Sequence, residues 1–116
     1  MKDQLFAKLW KDALRQPSKE LYISEYGYPD WFDEISTDAN SVVERLGQIH
    51  DTAHITVKNI LQRAGLTQSA FATRFCIPLR TVEDWCTEKR KCPDYERLSF
   101  CRELGFPGLQ REGVNE

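Results

Sequence analysis

Apolar residues recur at three- and four-residue spacing along most of the chain, the period of helices packed through one face. Over residues 2–15, Leu5, Phe6, Leu9, Trp10, Ala13 and Leu14 make one stripe, and lysines cover the opposite face. Gln16-Pro17-Ser18 ends that helix. Ser18 is placed to cap a second one that Gly27 closes, with Leu21, Tyr22 and Tyr26 as its buried edge. Asp30 caps a short turn carrying Trp31, Phe32 and Ile35. Residues 36–40 are polar and read as a loop. Asp38 or Asn40 then caps a helix over 41–53, whose stripe is Val42, Val43, Leu46 and Ile49. Gly47 inside it costs up to about 1 kcal/mol relative to alanine and marks a close helix contact.

The second half is punctuated more sharply. Thr56 caps a helix that Gly65 ends, with Val57, Ile60, Leu61 and Ala64 inward. Thr67 caps the next, in which Phe71, Ala72 and Phe75 share a face. Pro78 disfavours helix at Ile77 and is pre-shaped for the first turn of a new helix, 78–87. There Val82 and Trp85 fall on one face, while Leu79, Arg80, Glu83 and Asp84 point elsewhere. A polar loop, Thr87 to Cys92, holds three consecutive basic residues. Pro93 starts a last helix with Tyr95, Leu98, Cys101 and Leu104 on one face and Gly105 as its stop. The fold class is all-α: an N-terminal helical region over 1–52, a helical bundle over 53–106 and a flexible tail over 107–116. Two short amphipathic helices joined by a tight turn, as over 66–85, are the pattern of a helix-turn-helix, which lays its second helix in a DNA groove.

At 116 residues this is one domain, or one small domain with an appendage. Charge splits it further. Residues 1–52 hold six basic and ten acidic residues, −4; residues 53–110 hold nine and six, +3; the last six add −1. An acidic half therefore precedes a mildly basic half that carries the helix pair, as in a nucleic-acid module joined to something with another task. No apolar run approaches the roughly 18 residues of a membrane span, and the N-terminus lacks a signal-peptide core. The expectation is a cytoplasmic protein with reduced thiols and no membrane partner.

In order and register, residues 56–105 resemble the phage-repressor (Cro/Xre, lambda-repressor-like) class of helix-turn-helix domains. The resemblance rests on Leu66-Thr67-Gln68, Phe71-Ala72, Phe75, Arg80-Thr81-Val82 with Trp85, the basic loop and Pro93. It covers a little under half the chain; residues 1–52 match no family. It implies that Thr67 and Gln68 meet a phosphate at a helix N-terminus. It puts Leu79, Arg80 and Asp84 against base edges, with Thr81 beside them. Arg80 is the strongest base reader, since its planar fork fits guanine O6 and N7. Asp84 accepts from a cytosine amino group or repels the duplex. Thr87, Lys89, Arg90 and Lys91 track the phosphate backbone. The alternative for Arg80, Glu83 and Asp84 is a solvated helix face with a local Arg80–Asp84 ion pair. Two departures from the pattern stand out: Ala70 replaces the glutamate of a capping box, and Cys76 replaces the usual turn glycine.

Other chemistry finds little support in the pattern. Asp30, Asp33 and Glu34 sit too close in sequence to converge, so no catalytic set is assigned. His50 and His54, four apart, make half a metal site, and no further ligand completes it; they read as surface histidines. Cys76, Cys86, Cys92 and Cys101 include no Cys-x-x-Cys pair. Cys76 and Cys101 read as small core residues, and Cys86 and Cys92 flank the basic loop. No metal or cofactor is expected. Two functions of different class follow. One is a sequence-specific DNA-binding transcription regulator, a repressor or an autoregulating antitoxin, acting as a homodimer on double-stranded DNA. The other is a protein-binding inhibitor or adaptor that keeps the fold and engages a partner through residues 1–52.

Overall fold

A computed structural model of the chain describes residues 2–26 and 39–109, and these divide into two compact units. The described residues form seven helices and no strand, so the fold is all-α. They are α1 (Asp3–Arg15), α2 (Lys19–Tyr26), α3 (Ala39–Ala53), α4 (Val57–Ala64), α5 (Gln68–Phe75), α6 (Leu79–Cys86) and α7 (Asp94–Glu103). The expected turn around Trp31 and Phe32, the Gly27 stop and a cap at Asp38 lie outside the described residues. None of the seven helices is long and apolar enough to cross a membrane.

The first unit comprises the chain up to His54 and, after a long excursion, the chain from Gly105. Its core is Phe6, Leu9, Trp10 and Ala13 of α1, Tyr22 of α2, and Val42, Leu46, Ile49 and Ala53 of α3. Phe106 and Leu109 are buried as well, and Arg45 Nε donates to Gly108 O at 2.7 Å. The chain through Leu109 is thus packed structure, not the start of a flexible tail, and Phe106 belongs with the first unit. Gly108 is needed there. Its φ is +88°, and a Cβ would lie 2.6 Å from that of Gln48. Gly47 allows the close approach expected of it, since an added Cβ would meet Lys19 Cε at 2.9 Å.

Three sequence expectations fail in this unit. Leu21 and Val43 are exposed, so α2 buries Tyr22 instead, whose hydroxyl donates to Leu9 O at 2.8 Å. Asn40 lies inside α3 and not at its cap. His50 is not a surface histidine: its Nε2 lies 2.7 Å from Gln16 O, and His54 Nε2 lies 2.7 Å from Ala13 O. A carbonyl only accepts, so each Nε2 carries the proton. The two rings lie 4.4 Å apart, tilted by 38°, and meet carbonyls at the end of α1 and just past it.

The second unit, Ile55–Leu104, follows its punctuation closely. Thr56 Oγ1 accepts from Asn59 N at 3.1 Å, and Gly65 ends α4 at φ 69°. Phe71 and Phe75 of α5 and Trp85 of α6 gather around Phe100 of α7, with ring centroids 4.8–5.9 Å from it. Val57, Ile60, Leu61, Ala72, Val82 and Cys101 complete this core. The face of α7 is turned from the one expected. Tyr95 is 71% exposed, and Arg97, Phe100 and Cys101 point inward. Buried Arg97 donates from Nη1 to Ile55 O at 2.9 Å and pairs with Asp94.

Candidate functional site

The geometry that matters begins at the turn between α5 and α6. Thr67 Oγ1 accepts from Ala70 N at 3.0 Å, which replaces one missing intrahelical bond of α5. At the other end Cys76 takes φ 56° and ψ 44°, a left-handed conformation adopted without glycine. Ile77 N then donates to Ala72 O at 2.9 Å, a wrap that closes the helix end. Pro78 redirects the chain into α6, which packs against α5 and α4.

The expected contact residues divide into two groups. Leu79 and Arg80 lie on the first turn of α6 with side chains exposed, and Thr81 beside them is half-buried. Lys89, Arg90 and Lys91 are exposed in the loop after α6. Thr67 is exposed, but its hydroxyl is committed to its cap. Gln68 is half-buried. Thr87 Oγ1 donates back to Glu83 O at 3.0 Å. The Thr87 hydroxyl is thus engaged within its own helix end.

Asp84 is the largest correction. It is buried, not set against a base edge. Its Oδ1 lies 3.3 Å from Arg80 Nε and its Oδ2 lies 3.5 Å from Arg90 Nε. The local Arg80–Asp84 pair is therefore present, and a loop arginine joins it from the other side. A buried carboxylate needs such partners, because leaving water without them is costly.

Two further exposed residues lie on the elements that flank α5, α6 and the basic loop. Lys58 of α4 lies near enough to Cys86 for its charge to act on the thiol. Tyr95 follows the basic loop in the first turn of α7. Tyr95 was expected on the buried face of its helix. A tyrosine two positions before a buried arginine gives no signal of its orientation.

The cysteines divide differently from expectation. Cys76 is exposed and Cys92 is buried. Burial pushes the Cys92 thiol up to about 12 and the Cys101 thiol up to about 11, so both stay protonated near neutrality. All four are free thiols. Compared with known proteins, the chain matches no family model, no curated protein and no solved structure.

Proposed function

We propose that the protein is a sequence-specific DNA-binding transcription regulator of the phage-repressor, helix-turn-helix type, with α6 entering the major groove. The observation that carries this reading is the shared exposure of Leu79 and Arg80 at the start of α6 with Lys89, Arg90 and Lys91 in the loop that follows it. An arginine fork suits guanine, an exposed leucine suits a thymine methyl, and a flanking basic loop suits phosphates. Lys58 adds a fourth phosphate-seeking cation. One such helix covers few base pairs, so the reading includes a homodimer on two half-sites.

The test is binding to duplexes with a randomised 20-base-pair centre, measured from about 50 to 200 mM salt. Four phosphate contacts per protomer give a log–log slope near −3.6 for each bound protomer. Arg80→Ala should lose about 1–3 kcal/mol of discrimination at one base pair of the selected sequence. No binding at the lowest salt sinks the reading, and a monomer in sedimentation equilibrium at high concentration removes the half-site part.

One observation favours the protein-binding alternative. Leu21 and Val43 leave apolar side chains exposed in the first unit, as a partner-binding surface would. Under that reading the leucine and valine, and not Arg80, carry the interaction.

A further inference from the structure

Asp84 sits where a DNA-binding surface should avoid negative charge, and three contacts give it a use. Its two carboxylate oxygens face different arginines, Oδ1 toward Arg80 Nε at 3.3 Å and Oδ2 toward Arg90 Nε at 3.5 Å. Its main-chain oxygen accepts from Arg90 N at 3.3 Å. The loop is thereby fastened to α6 by side chain and backbone at the same residue. Glu88, between α6 and Arg90, sits at φ 63°, so the loop doubles back sharply to make these contacts.

The exposures are lopsided. The Asp84 side chain is 11% exposed, against 73% for Arg80 and 65% for Arg90. Both arginines approach the carboxylate through Nε, the inner nitrogen. No hydrogen bond from Nη1 or Nη2, the ends that make end-on bidentate contacts, to Asp84 accompanies either pair. From these facts we infer that Asp84 is a positioning residue: it aims Arg80 and Arg90 outward from one buried carboxylate and makes them act as a unit on a nucleic acid. This rests on the DNA-binding reading above and deepens it.

The consequence has two signs. Removing the Asp84 charge makes the surface more attractive to any polyanion, because one negative charge is gone. It also frees both arginines, so each must be ordered anew when a base or phosphate is engaged. Affinity for unselected DNA therefore rises or holds, while preference for selected DNA falls. A carboxylate that merely repels DNA raises both affinities together and leaves the ratio unchanged. A merely structural carboxylate lowers both together.

The experiment compares full-length wild type, Asp84→Asn, Arg80→Ala and Arg90→Gln. The probes are the duplex most enriched by wild type from the randomised pool and the unselected pool itself, at one fixed salt. Asp84→Asn should cut the selected-to-unselected ratio by about fivefold, the weight of re-ordering one freed arginine. Its affinity for the unselected pool should not fall. Arg90→Gln should weaken preference at the same base pair that Arg80→Ala loses, although a loop arginine is aimed at phosphate. An unchanged ratio in Asp84→Asn, or equal losses on both probes in a variant folded by circular dichroism, overturns the inference. Should Asp84→Asn fail to fold, Arg90→Gln decides: an unaltered base preference overturns it. Wild type that binds neither probe at low salt removes the DNA reading and the positioning role with it. Wild type that binds while the variants keep its ratio removes only the positioning role.

Discussion

Replacing Cys76 with glycine should stabilise the second unit by a calculable margin. The turn after α5 holds Cys76 at φ 56° and ψ 44°. In that region the Cβ of an L-residue crowds the next carbonyl, at a cost of roughly 1–2 kcal/mol. Cys76 N donates to Thr73 O at 3.3 Å and Ile77 N to Ala72 O at 2.9 Å, so the conformation is fixed by the helix end and cannot relax cheaply. The Cys76 side chain is exposed, so its removal forfeits little buried area. Against the relief stands the extra freedom of glycine in the unfolded chain, about 0.4–1 kcal/mol. The balance is a gain of about 0.8 kcal/mol, or about 3–6 °C in melting temperature for a unit of this size. Urea and thermal unfolding under reducing conditions measure it. Cys76→Ala is the control, because it removes the thiol and keeps the Cβ, and Cys76→Val should fall below it through β-branching. Glycine no more stable than alanine would refute the reasoning, since the Cβ would then not be the source of strain.

Two further predictions concern buried polar contacts. Arg97→Met leaves Ile55 O without its donor and Asp94 without its partner, and should cost about 3 kcal/mol in urea unfolding. Asp94→Asn should cost under about 1 kcal/mol, because Asp94 is the exposed member of the pair; equal losses would show that the Arg97–Ile55 bond carries little. In the first unit Tyr26 Oη donates to Asp12 Oδ2 at 2.7 Å, and that bond, with Arg15, holds the Asp12 carboxyl below its ordinary 3.8. A lowered carboxylate stabilises the fold above its unfolded value and loses that contribution as pH falls through the folded one. Tyr26→Phe should therefore cost about 1 kcal/mol at pH 7 and progressively less as pH drops below about 4. A difference that stays constant down to pH 2 would assign the loss to packing alone.

The helices of the second unit were legible because their ends are written in short-range chemistry. Thr56, Gly65, Thr67 and Pro78 act within one turn of themselves, and each does in the structure what its type allows. Direction around a helix was less legible. One residue is 100° of rotation, and Asp84 lies between Val82 and Trp85, both core. Whether such a residue faces in or out depends on a partner able to neutralise it, and Arg90 arrives through a loop that periodicity does not describe. The same holds for His50, whose partner is the carbonyl of Gln16, and for Arg97, whose partner opens the unit 42 residues earlier. The contact of Arg45 with Gly108 spans 63 residues and left no trace in local pattern. Of the residues expected to meet DNA, exposure of Leu79, Arg80 and the basic loop was legible from polarity, whereas the internal engagements of Asp84 and Thr87 were not.

Because the first unit is made from two separated stretches of chain, its completion depends on the order in which things fold. Residues 39–53 leave a synthesising ribosome well before Phe106 and Leu109, and so await part of their own core. The intervening unit is continuous, and Phe71, Trp85 and Phe100 meet one another within it. Once it folds, Arg97 ties the last helix to Ile55, and the seven steps from Arg97 to Leu104 span only about 10 Å at helical rise. A loop of some fifty residues is thereby reduced to a short clasp, and the entropy of bringing Gly108 to Arg45 is largely spent in advance. Arg97, by closing the intervening stretch on itself, thus shortens the path by which residues 39–53 and 105–109 find each other, and its loss should slow that closure.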